Sequence, residues 1–125
     1  MSRDFLARVL MLLASLSALG AFAAGVGEVG ASDDSAKFVV MWRTLGFVVF
    51  AGLFALLAFF PRAMPGLWEL TFLHKAGMAA FAFLAMAHDP QALLAGYIDA
   101  ALALVIALCY LLTAGYRNWS RGARD

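Results

Sequence analysis

The sequence predicts an all-α fold: an integral membrane four-helix bundle forming a single domain over residues 1–125, with both termini cytoplasmic. Three observations predict it. First, 65% of the 125 residues are hydrophobic and only 14% are charged, with a mean hydropathy of +0.88, whereas a soluble domain is about half apolar and about a quarter charged. Second, four apolar runs, 9–27, 38–60, 67–87 and 92–116, are separated by short polar breaks. Each run is near or above the roughly 20 residues that cross about 30 Å of hydrocarbon. Third, lysine and arginine collect at alternate ends of these runs.

The first run opens after Arg3 and Arg8 and closes in the glycines of "GVGEVG". The leading residues also fit a secretory signal, with an A-x-A site at Ala21-Phe22-Ala23. The apolar run continues past that site to Gly27, which favours a retained helix. "ASDDSAK" supplies Ser and Asp residues able to cap the amides that begin the second helix. "PRAMPG" ends the second run, because proline cannot donate to a helix interior. In "HDPQ", Asp89 is a good N-cap and Pro90 falls at the first helical position, so the third and fourth helices form a tight antiparallel hairpin.

Orientation follows from the basic residues. Arg3, Arg8, Arg62, Arg117, Arg121 and Arg124 lie at one end of the bundle, while the loop between the first two helices holds Glu28, Asp33 and Asp34 against Lys37 alone. The positive-inside rule puts the arginine-rich end in the cytoplasm. Trp42, Trp68 and Trp119 stand near helix ends, as interfacial anchors do. The expected location is a bacterial inner membrane, with membrane lipid as the immediate partner and a homo-oligomer compatible with the chain's size.

Several functions are excluded. A net charge of +1 with mostly terminal basic residues does not make a nucleic-acid surface. Cys109 is the lone cysteine, so no intrachain disulfide or thiolate metal cluster forms. No metal is expected, since His, Cys, Asp and Glu show no ligand spacing. Haem is not expected either, because His74 and His88 fall on the same predicted helix, about 20 Å apart. No nucleophile motif or phosphate-binding glycine loop is present, and no catalytic residue is assigned.

What remains is charge inside the bilayer, which is costly and marks functional candidates. Asp99 lies about 10 Å and Arg43 about 8 Å from the outer surface, so the expected ion pair joins Arg43 to Asp99, with Glu28 as a second partner. Asp99 belongs to a small-residue row, Ala95, Asp99, Ala103 and Ala107, that lets helices approach. His74 and Lys75 stand about 10 to 12 Å from the cytoplasmic end. No acid is expected at their level, Glu69 being the nearest. Lys75 therefore either snorkels to phosphate or Glu69, or joins His74 and Thr71 in holding a carbonyl-bearing or anionic ligand such as a quinone head or lipid phosphate.

Three features stand together: "GVGEVG" at the end of the first helix, "WRTLGFVVFAGLFALLAFFP" with Arg43, Gly46 and Pro61, and Asp99 early in the fourth helix. In them the chain resembles the DoxX-like group of small four-helix membrane proteins. That family includes proteins linked to quinone-coupled sulfur oxidation and others whose relatives assist membrane-protein assembly. The resemblance implies a compact bundle with a polar site between helices, in which Glu28, Arg43 and Asp99 are polar bundle residues. The expected function is a lipid- or quinone-binding, accessory or assembly subunit, more a binding protein than an enzyme. A quinone-linked oxidoreductase subunit is the alternative. A transporter resembling the small multidrug resistance proteins fits less well, because the first helix carries no carboxylate before Glu28.

Overall fold

In the structure, a computed structural model describing residues 1–122, the chain is all helix, with no strand among the described residues. Four long helices, α1 (Arg3–Ala31), α2 (Asp34–Phe59), α3 (Leu67–Ala85) and α4 (Pro90–Leu112), are followed by a 3-10 turn (Gly115–Arg117) and the short α5 (Asn118–Gly122). Arg124, counted in the orientation argument, lies outside the described residues.

Helix ends differ from the hydropathic runs because hydrogen bonding, not apolarity, sets them. α1 starts well before Val9, since Ser2 Oγ accepts the Phe5 amide at 3.1 Å and Asp4 sits in the first turn, where a negative charge complements the helix dipole. α3 starts as expected, after Gly66 in the left-handed region at φ 86°. It ends at Ala85, so His88 lies in the turn and not on α3. α4 begins at Pro90, with Asp89 Oδ1 accepting the amides of Gln91 and Ala92 at 2.9 and 3.5 Å. It stops at Leu112, short of Tyr116, where Ala114 turns left-handed at φ 52°.

α1, α2 and α4 are long and apolar enough to cross a membrane. α3 has 19 residues and is not among them, because Glu69, His74 and Lys75 dilute its apolar sequence. The outer surface has the character of a membrane protein: Phe38, Trp42, Leu84 and Leu104 are each more than 70% exposed, an arrangement that water penalises.

Two antiparallel hairpins build the fold. α1 packs along α2 and α3 along α4; α1 against α4 joins the hairpins, while α2 and α3 touch only sparsely. The hairpins meet in a core near the end that carries the N-terminus and α5, where Met11, Phe54, Leu57, Trp68, Ile106 and Cys109 are buried. Towards the opposite end, small residues let backbones approach within each hairpin. A Cβ on Gly25 would stand 2.5 Å from Thr44 Oγ1, and one on Gly96 would stand 2.7 Å from Ala82 Cβ. In lipid, where apolar surface gains nothing from leaving its solvent, such close packing is the main cohesive term.

The lower turn is tied down by side chains. Trp68 Nε1 and Asn118 Nδ2 both donate to the Pro61 carbonyl, at 2.9 and 3.0 Å. Proline blocks continuation of α2, and these donors satisfy the carbonyl that its end leaves free.

Candidate functional site

Among the described residues Lys75 is the charged residue most deeply enclosed, at 7% exposure. Its Nζ donates to Asp99 Oδ1 at 3.0 Å, and the two side chains are 9% and 16% exposed. The pairing follows from hairpin register. Lys75 lies ten residues before the last residue of α3, and Asp99 nine after the first of α4, so an antiparallel hairpin brings them level. Depths taken from the predicted runs put the two charges at different levels, because α3 ends before its run does and α4 begins before its own. The expectation that no acid lies at the level of Lys75 is therefore corrected, and so is its snorkelling towards Glu69.

α2 contributes the third wall. Phe50 presents its ring 4.2 Å from Lys75 Nζ, a cation–π distance. The His74 ring is centred 4.5 Å from the same phenyl, at an interplanar angle of 45°. Lys75 turns inward and His74 outward, as the 100° between successive helical residues requires. His74 is exposed at the seam where α2 and α3 touch sparsely, and its ring nitrogens bond to no described residue. Thr71 is buried one turn away, but its hydroxyl donates to Leu67 O at 2.6 Å and is engaged within its own helix.

The expected Arg43–Asp99 pair does not form. Arg43 Nη2 instead donates to Glu28 Oε2 across the α1–α2 hairpin. Both side chains are about half exposed, at 50% and 56%. The long guanidinium stem carries its charge back towards the hairpin tip, away from α4. A second exposed pair crosses the other end, with Arg62 Nη2 2.7 Å from Asp4 Oδ1.

Two features escaped sequence reasoning. Phe50 carries no charge or motif to mark it, although it falls seven residues after Arg43. The second is a cluster at the lower end, where Glu69 Oε1 accepts from Tyr110 Oη at 2.9 Å and from Trp119 Nε1 at 3.0 Å. Tyr110, near the end of α4, and Trp119, in α5, stand 41 and 50 residues from Glu69, so only the return of α4 and α5 beside the start of α3 reveals them.

Chemically, the site is an ion pair with spare capacity beside an uncommitted imidazole. The ammonium has three protons, one directed to Asp99 and the charge as a whole lying near the Phe50 face. His74 adds a donor and an acceptor at the open seam. Among the described residues no three His, Cys, Asp or Glu side chains come together at metal-ligand spacing. No family model matches this chain, and neither a curated protein nor a solved structure matches it.

Proposed function

We propose that the chain is a small multi-pass protein of the bacterial inner membrane. In this reading it crosses the bilayer as a DoxX-like four-helix bundle with both termini cytoplasmic, and acts as a ligand-binding or accessory subunit. His74 and Lys75, beside Thr71, receive a carbonyl or phosphate oxygen of a quinone or lipid at the seam of α2 and α3. The carrying observation is the convergence of three helices on one buried ammonium, with an exposed imidazole next to it. A pair serving cohesion alone needs no such imidazole. Asp99 supplies the counter-charge to the enclosed lysine, and Phe50 offers a flat apolar surface to a ring or acyl chain.

The test is native mass spectrometry of detergent-purified protein, with extraction and identification of what co-purifies. His74→Ala is the informative variant, because it leaves the Lys75–Asp99 pair intact. A defined quinone or lipid retained by the wild type and lost from His74→Ala supports the site. Equal occupancy in the two removes it and leaves the ion pair a purely structural feature.

A further inference from the structure

A groove of about 160 Å³ runs between α3 and α4, lined by Trp68, Glu69, Phe72, Ile106, Ala107 and Tyr110. It is separate from Lys75 and His74. We infer that this groove seats a phospholipid with a primary-amine headgroup, its acyl chain along Phe72, Ile106 and Ala107 and its ammonium on the Glu69 carboxylate. The inference rests on the membrane-spanning part of the proposed function and is independent of the His74 site.

Size and lining fit an acyl segment. The volume is close to that of an apolar protein cavity of about 150 Å³ known to take a benzene ring. Phe72 is exposed and Ala107 half-buried, so the groove opens sideways to lipid.

Charge specifies the headgroup. Asp4, Glu28, Asp34 and Asp99 each face an arginine or lysine. Asp89 instead caps α4, and Asp33 sits at the N-cap of α2. Glu69 has no cationic partner among the described residues, although it stands at the rim of an apolar groove. Tyr110 and Trp119 donate to Oε1, and the backbone amides of Gly66 and Glu69 also favour the carboxylate, but every one of these donors is neutral. An ammonium with N–H protons supplies the positive charge that this carboxylate lacks, together with a hydrogen bond. Choline, fully methylated, has none to give.

The surroundings suit a zwitterion. Trp119, exposed, and Tyr110 beside it stand where aromatic residues are expected at headgroup level. Arg117 and Arg121 flank Trp119 on the same short segment and attract the lipid phosphate.

The experiment titrates phosphatidylethanolamine, its N-monomethyl and N,N-dimethyl derivatives and phosphatidylcholine, all with identical acyl chains, into delipidated protein and reads retention by native mass spectrometry. Wild type is expected to retain phosphatidylethanolamine about tenfold better than phosphatidylcholine, the worth of one charge-assisted hydrogen bond. Retention falls along the methylation series. Glu69→Gln, whose amide oxygen still accepts from Tyr110 and Trp119, brings the first lipid down to the last. Ala107→Phe, filling the groove, weakens both. Equal retention of the four lipids by wild type overturns the inference without recourse to any variant, as does a preference that survives Glu69→Gln. Carbonate extraction of the membranes keeps the two readings apart: protein released by carbonate defeats the membrane reading, whereas resistant protein without headgroup preference defeats only this one.

Discussion

Lys75 and Asp99 meet 3.0 Å apart because each stands nearly the same number of residues from the α3–α4 turn. The turn itself is set by Asp89 capping and Pro90 starting α4. A local sequence signal at residues 88–91 thus fixes a contact about halfway along two helices. That contact locks the second hairpin in register and, through Phe50, touches the first.

Removing one partner of this pair is expected to cost far more than removing both. Lys75→Met leaves the Asp99 carboxylate enclosed without a counter-charge, a loss of about 3–5 kcal/mol for a buried pair. Lys75→Met combined with Asp99→Leu is expected to recover to within about 1 kcal/mol of wild type, in line with the small net worth of polar contacts between membrane helices. Thermal unfolding in detergent of the two single variants and the double variant checks this as a double-mutant cycle. Additive losses in the double variant would show that the two side chains act independently.

The uneven legibility of the sequence has a physical cause. Three long apolar helices can be read directly, because spanning length and hydropathy are properties of one segment at a time. The α3–α4 hairpin is legible through Asp89 and Pro90 for the same reason. Which charge meets which depends on how one helix slides along another, so a few residues of error at each end exchange Arg43 for Lys75 as the partner of Asp99. Phe50 and the Glu69–Tyr110–Trp119 cluster need the full three-dimensional arrangement, and no property of a single segment marks them. α3 falls short of the other three helices for a related reason: the residues that make it chemically interesting also lower its hydropathy.

Two glycines separate close packing from mere flexibility. Gly25→Ala pushes a methyl to 2.5 Å from Thr44 Oγ1 and 2.9 Å from its Cγ2. Threonine is β-branched and stiff, so α1 and α2 must part, at an expected cost of about 1–3 kcal/mol. Gly27→Ala, with nothing within 4 Å of the added atom, is expected to stabilise the helix by about 0.5–1 kcal/mol. Melting temperatures that move in opposite directions, with Thr44→Ala rescuing Gly25→Ala, are the check. A parallel rise in both would mean that the hairpin is not tightly packed there.

The Glu28–Arg43 pair is expected to matter little for stability. Both side chains are about half exposed, where ion pairs contribute about 0–1 kcal/mol and salt screens them. Arg43→Gln should therefore shift unfolding slightly at low ionic strength and not measurably at high salt. A large, salt-insensitive loss would place Arg43 in a buried contact with another chain.

Residues 35 and 120 decide whether α3 crosses the bilayer. Ser35, in the first turn of α2, and Ser120, in α5, are both exposed, and α2, α3 and α4 lie between them. Three crossings put the two residues on opposite faces; if α3 turns back without crossing, two crossings put them on the same face. Cys109 is fully buried, so the native thiol gives little background. With a membrane-impermeant maleimide, Ser35→Cys is expected to label in right-side-out vesicles and Ser120→Cys in inside-out vesicles. Labelling of both from one face would remove α3 from the membrane. The Lys75–Asp99 pair would then lie near a surface, where the reason for expecting a lipid-soluble ligand disappears.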